Sequence, residues 1–208
     1  MNVTIVIAQK EHHHFAQLIC DTMEASAIVR GTGIAKRSSE YILKKMENQD
    51  AIIATIGGNF AGFCYIESWQ HGKFVANSGL IVHPDYRNLG LAKKIKTRVF
   101  EYSAEKYPGA KIFGITTGLA VMKINSDLGY KPVPFSELTA DQTFWNGCRG
   151  CTNFDILERK EYKMCLCTGM LYDPANKTEE EYTFNKKVLK RLKSIKQALF
   201  LKKEKIQL

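Results

Sequence analysis

The stretch LIVHPDYRNLGLAKK, from Leu80 to Lys94, constrains this chain more than any other. An apolar run stops at Pro84, which has no N–H to give to a sheet, so a strand ends there. A turn follows with the pattern Arg-x-x-Gly-x-Ala, from Arg87 to Ala92, and then the start of an amphipathic helix. A helix start presents unpaired backbone N–H groups and the positive end of the helix dipole. Gly90 lets an anion come close to that backbone, and Ala92 keeps the next turn small. The unit is a candidate cradle for a pyrophosphate, built from Arg87, Asn88, Leu89, Gly90, Leu91, Ala92 and Lys93.

At 208 residues the expectation is one domain with an appendage. The chain is 45% hydrophobic and 25% charged, values normal for a globular protein. No apolar run approaches the roughly 18 residues that span a membrane. Met1 to Ala8 lacks a basic leader and reads as a first strand, so the cytoplasm is the expected compartment and the six cysteines are expected reduced or metal-bound. The net charge of +9 invites a nucleic-acid reading, but residues 176–208 carry +6 of it. The body is left with +3, too little for a nucleic-acid surface and suited to a polyanionic cofactor.

Spacing and turn residues give the organisation. Strands are expected at Val3 to Ala8, Ala51 to Ile56, Phe60 to Trp69, Phe74 to Val82, Lys111 to Thr116, from Tyr130 to Val133, and at Tyr162 to Thr168. Helices are expected at His12 to Val29, from Ser38 or Ser39 to Asn48, from Gly90 to Tyr107, and at Leu119 to Leu128. Residues 134–161 are an insertion between the last two strands. The fold class is α/β: a mixed, mainly antiparallel central sheet with helices on both faces. Residues 1–174 form this domain, and 175–208 read as a basic amphipathic C-terminal helix. In it Phe184, Val188, Leu192, Ile195 and Leu199 make one apolar stripe. That stripe packs on the body or, as a homodimer contact, on a second copy. Membrane or nucleic-acid contact is disfavoured by its few aromatics.

The strand, Pro84, the Arg-x-x-Gly-x-Ala turn and the following helix resemble the acyl-CoA-binding motif of the GNAT N-acyltransferase superfamily. The element order matches that fold from Val3 to Val133. The resemblance implies that acetyl-CoA or another acyl-CoA is co-substrate, that Arg87 to Lys93 hold its pyrophosphate, and that Leu80, Ile81 and Val82 orient the pantetheine and thioester through their backbone. The insertion and the segment from Cys165 to Pro174 are also similar to bacterial GNAT proteins associated with arginine biosynthesis, where an N-acylglutamate synthase role is inferred. That would make glutamate the acceptor.

Acyl transfer to an amine needs an oriented thioester, a stabilised oxyanion and a deprotonated amine. Glu67, sharing a strand face with Phe63, Tyr65 and Trp69, is the candidate general base, with His71 second. Its other reading is a strand-end charge in solvent. Family members often carry a tyrosine four residues before the Gly-aromatic pair, here Gly129-Tyr130. This chain has Asn125 there, which can donate a hydrogen bond to the CoA sulfur or amide but cannot protonate a thiolate. Ser126 has the same capacity. Arg30 and Arg37, flanking a glycine-bearing loop, are candidates to hold an acceptor carboxylate. Their other reading is a solvated basic loop.

Cys148-x-x-Cys151 and Cys165-x-Cys167 match a four-thiolate zinc pattern, with Cys165 and Cys167 on one strand face. Reduced core thiols are the preferred reading and structural zinc the alternative. The function read from the whole is transfer of an acetyl or succinyl group from CoA to a small carboxylate-bearing amine. A protein N-acetyltransferase and a non-catalytic acyl-CoA-sensing module stay open as rivals.

Overall fold

The computed structural model describes residues 2–31 and 36–176, the Arg30 side chain excepted. The expected C-terminal helix, with its dimer contact, falls on residues 177–208, outside the described residues. The chain divides into two units, 1–173 and 174–208.

Seven strands form one sheet: β1 (Val3–Ile7), β2 (Ala51–Ile56), β3 (Asn59–Trp69), β4 (Phe74–Val82), β5 (Lys111–Thr116), β6 (Lys131–Val133) and β7 (Thr168–Tyr172). Their order is β1-β2-β3-β4-β5-β7-β6. Only β4 and β5 run parallel. Covering them are α1 (Ala16–Arg30), α2 (Ser39–Glu47), α3 (Leu91–Lys106), α4 (Leu119–Asp127), and two short helices in the insertion, α5 (Gln142–Asn146) and α6 (Phe154–Arg159).

The strands sort their side chains by alternation. Ile53 and Phe63 face α1 and α2, where they meet Ile19, Met23, Ile42 and Met46. Ile52, Cys64, Ile66 and Val75 point the other way onto Leu91, Ile95, Val99 and Tyr102 of α3. Buried on both sides, β2 reads as a near-continuous apolar run with Thr55 its one polar residue. It turns into β3 through Gly57 and Gly58, both at positive φ, as a tight two-residue hairpin requires. Over β5 and β7 the insertion adds a further core, where Phe113 and Leu171 pack with Phe135, Leu138, Phe144, Trp145 and Leu157.

Two expectations need correction. The last strand is not Tyr162 to Thr168 but begins at Thr168. Glu161 and Tyr162 take φ of 51° and 61°, and the Tyr162 N–H donates back to Leu157 O at 2.9 Å, closing α6 rather than extending. The segment between β6 and β7 therefore runs to Cys167, and Cys165 and Cys167 lie in the approach to β7, not on a strand face. At the other end, the helix expected from His12 starts as a 3-10 turn, Lys10–Phe15. There the Gln9 N–H donates to His12 Nδ1 at 3.0 Å, and α1 proper begins at Ala16.

Candidate active site

The sheet opens in one place. β4 pairs with β5 only from Phe74 to Ala76, against Lys111 to Phe113. From Asn77 onward β4 has lost its neighbour on that edge, and its backbone groups there are unpaired by the ladder. Two glycines make this geometry. Gly79 sits at φ +66° in a bulge, where a Cβ would lie 2.4 Å from the Tyr65 ring. Gly114 lets β5 pass close to β4: a Cβ there would sit 3.3 Å from Asn77 O.

A cavity of about 890 Å³ starts in this gap. Its first half is walled by Ala76 to Leu80 on β4, by Gly114 to Gly118 at the end of β5 and just beyond it, and by Val121 of α4. Its second half is walled by Arg37, Tyr41, Tyr65, Glu67 and Trp69, and by insertion residues that include Phe144, Cys148, Asn153 and Leu157.

One hydrogen-bonded network runs along the second wall. Ser38 caps α2 by accepting from the Tyr41 N–H at 3.2 Å, which fixes the start of that helix. The Tyr41 hydroxyl donates to Glu67 Oε1. Lys45 Nζ stands 3.6 Å from the same oxygen, and the Glu67 side chain is 13% exposed. Arg37 Nε donates to the Tyr65 hydroxyl oxygen at 3.0 Å, and its Nη1 donates to Gly147 O at 3.2 Å. Burial pushes the Tyr65 hydroxyl up to about 12, with Arg37 pulling the other way. The Tyr41 hydroxyl is pushed up by burial and then by Tyr65 and Glu67. Both phenols are thus protonated donors at neutral pH. Trp69 Nε1 and Asn153 Nδ2 are buried donors with no partner among the described residues.

The wall so built offers a cation, Arg37, and a carboxylate, Glu67, to one cavity. Glu67 is where alternation placed it and is not a solvated strand-end charge. Arg37 is likewise held, by the Tyr65 hydroxyl and the carbonyls of Gly147 and Lys36, rather than solvated. Arg30 ends α1, and its side chain lies outside the described residues. His71, at φ 56° in the β3–β4 turn, is not on the wall. Asn125 of α4 is 2% exposed and is not among the residues that line the cavity, and its Oδ1 has no partner among the described residues.

Beyond Leu80 the two outer strand residues divide as expected of a strand. Ile81 enters the α1–α2 core, and Val82 packs toward α3. The turn then reaches the surface. Arg87, Asn88, Leu89 and Gly90 are exposed, Leu91 is buried, and Ala92 is half-buried. Gly90 starts α3 at φ 70° with open space around it and no side chain capping the helix. Arg87 is drawn back: Nε donates to Val82 O at 3.3 Å, and Nη2 to Ser26 Oγ at 2.9 Å. Lys93 pairs with Asp127 of α4 at 2.9 Å. The first-turn amides therefore face solvent at the outer end of the strand whose inner end walls the cavity.

All four insertion-side cysteines, 148, 151, 165 and 167, line the cavity. Burial raises the Cys148 thiol to about 11, with Cys151 and Cys165 adding to it. No group of three or more His, Cys, Asp or Glu among the described residues is arranged to hold a metal ion.

Sequence reasoning missed Tyr41, Tyr65, Asn77 and Gly79. A glycine inside a strand pattern was the available signal for the bulge. No local pattern announces the tyrosines, whose role depends on α2 lying across β3.

The model of the Acetyltransferase (GNAT) family matches residues 32–121. No curated protein matches the chain in sequence. Among solved structures, an N-acetylglutamate synthase from Neisseria gonorrhoeae complexed with coenzyme A and N-acetyl-glutamate is similar, with a TM-score of 0.60 and 13% identity. That match covers 83% of this chain and 35% of the synthase, so the chain spans about a third of that protein. A Mycobacterium tuberculosis protein in complex with CoA matches with a TM-score of 0.59 and 14% identity, over 82% of this chain and 98% of its own. A Salmonella typhimurium protein with acetyl-CoA matches at 0.55 and 15%, over 83% and 94%. At these identities the likeness shows the fold.

Proposed function

We propose that this chain, which carries an acetyltransferase domain of the GNAT family, moves an acyl group from an acyl-CoA to the amine of a small, carboxylate-bearing acceptor. The observation that carries this reading is the single cavity that joins the gap between β4 and β5 to the wall bearing Arg37 and Glu67. Donor and acceptor of a direct transfer must meet in one enclosure, and here one enclosure has two chemically different halves.

The donor half supports an acyl-CoA. Backbone groups of β4 beyond Ala76 are free to pair with an extended pantetheine, much as a strand would. The amides opening α3 suit its diphosphate. The thioester then lies in the gap, where β4 N–H groups stabilise the oxyanion. The acceptor half supports a zwitterion: the Arg37 guanidinium takes the carboxylate and Glu67 draws the ammonium. Glu67, directly or through water, accepts the amine proton. The amine attacks the thioester carbon, the C–S bond breaks, and the thiolate takes a proton from water. No acyl-cysteine is needed. Acetyl or succinyl is the group we favour, and glutamate the acceptor. Six free cysteines fit a reducing compartment, and we place the protein in the cytoplasm.

A protein acceptor would need an open groove, and the insertion residues over the Arg37 wall speak against one. The test is release of free thiol from acetyl-CoA and succinyl-CoA against a panel of amino acids and peptides. Release with glutamate supports the proposal. Release with peptides alone makes the chain a protein acetyltransferase. Binding of acyl-CoA without release on any acceptor makes it a sensor.

A further inference from the structure

Behind the apex of the gap lies a lysine with no acidic partner among the described residues. Lys96 of α3 is 2% exposed. It sits on the buried stripe of that helix with Leu91, Ile95, Val99, Tyr102 and Ser103. Its Nζ donates to Asn77 Oδ1 at 2.9 Å and stands 4.9 Å from the centre of the Tyr130 ring. The Tyr130 hydroxyl donates to the same Asn77 oxygen at 2.9 Å. Asn77 Nδ2 in turn donates to Ser103 Oγ at 2.8 Å, and Ser103 passes its own hydrogen to Val99 O. The carboxamide of Asn77 is thus fixed by three groups, and Asn77 is the first β4 residue past the last β4–β5 pair.

Burying an amine without a carboxylate is costly, and an aliphatic side chain of similar length would pack here at less cost. Such a group is retained where its charge has a use. The use available is close by. Lys96 does not line the cavity, but Asn77, its hydrogen-bond partner, does. A thioester in the gap develops negative charge on its oxygen during attack, and a fixed cation in a low-dielectric interior acts on such charge without reorganising.

We propose that Lys96 is a positioning residue for acyl transfer: held behind the apex by Asn77 and Tyr130, its ammonium locks the Asn77 carboxamide and sets a positive field on the wall where the thioester reacts. The inference rests on the acyltransferase reading. The titratable groups facing Lys96 are Cys64 from β3 and Tyr130 from the segment after α4. Burial raises both the thiol and the phenol, so both are neutral at neutral pH. Burial lowers Lys96 itself to about 8, so its charge is lost just above neutrality.

The experiment compares wild type, Lys96→Met and Lys96→Arg by thiol release, acetyl-CoA affinity and thermal melting. The expected result for Lys96→Met is a melting temperature at pH 7 equal to or above wild type, unchanged acetyl-CoA affinity, and kcat down about tenfold or more at unchanged acceptor KM. Lys96→Arg is expected to restore part of kcat and to carry it to higher pH. The wild-type kcat profile, which needs no variant to fold, is expected to fall above about pH 8. Wild-type kcat in Lys96→Met, or a flat wild-type profile across that pH, overturns the proposal while leaving the acyltransferase reading intact. A wild type that binds acetyl-CoA but releases no thiol with any acceptor overturns both.

Discussion

Tyr41 on α2 donates its hydroxyl hydrogen to Glu67 Oε1 on β3, with Lys45, one helical turn further along α2, 3.6 Å from the same oxygen. A strand from the middle of the sheet and a helix from its face thus meet at one carboxylate. The phenol and the ammonium hold that carboxylate in place at the cavity wall. In the function we propose, an amine entering the cavity meets there a fixed acceptor for its proton.

Replacing Glu67 by Gln keeps the shape and one acceptor oxygen but removes the basic group. The kcat of thiol release is expected to fall about 10²-fold, in the range that positioned acid–base catalysis supplies. Acetyl-CoA affinity, measured by calorimetry, should not change. Unchanged rates from low to high pH would show that the base is elsewhere.

Arg37, the cation we propose for the acceptor carboxylate, is braced by the Tyr65 hydroxyl and Gly147 O. Hydrogen bonds to charged groups are worth roughly 1.5–3 kcal/mol, so Arg37→Ala should raise the acceptor KM on the order of 10- to 100-fold. Arg37→Lys should recover little, since an ammonium cannot keep the bonds to Tyr65 and Gly147 O and still present a donor to the carboxylate. An equal loss with an amine lacking a carboxylate would show that Arg37 serves the fold instead.

The bulge at Gly79 holds β4 away from β5. Alanine there must adopt φ +66° and meet the Tyr65 ring at 2.4 Å. The cost is about 1–3 kcal/mol, as for other residues forced into sparsely populated backbone regions. Urea denaturation of Gly79→Ala should show that loss, and acetyl-CoA affinity should fall with it. Full stability together with full affinity would mean that the strand tolerates a regular register.

Lys96 also gives stability a pH signature. Its folded-state value, about 8, lies below the ordinary 10.5. Between those values the unfolded chain holds a proton that the folded chain has released, so stability rises with pH. The full displacement corresponds to about 3 kcal/mol. Urea melts from pH 7 to 10 should show wild type gaining on Lys96→Met over this window. Parallel curves would mean that the lysine is not buried as a cation.

The legible part of the molecule was the part written in short-range pattern. β2, β4 and β5 were readable to the residue, because turn residues bound each apolar run. Gly90 at the start of α3 was readable because only a few residue types suit a positive φ at a helix start. Glu67 followed from strand alternation alone. The last strand was misplaced because Tyr162 to Cys167 is apolar enough to pass for one, while two positive-φ residues with no glycine close α6 there. Asn125 comes from a family position, and its burial off the cavity lining depends on how α4 packs, which no short-range pattern states. Lys96 reads as surface until α3 is laid on the sheet, since a lysine on an apolar stripe looks like one more charge in a basic helix.

The central claim is that the amides opening α3 hold a nucleotide diphosphate and direct a thioester into the gap between β4 and β5. The most direct test is a crystal structure of the protein with coenzyme A. The account predicts the diphosphate within hydrogen-bond distance of the backbone from Asn88 to Ala92 and the pantetheine alongside β4 from Asn77 to Val82. Coenzyme A bound elsewhere, with this corner and the gap both vacant at saturating ligand, would contradict it.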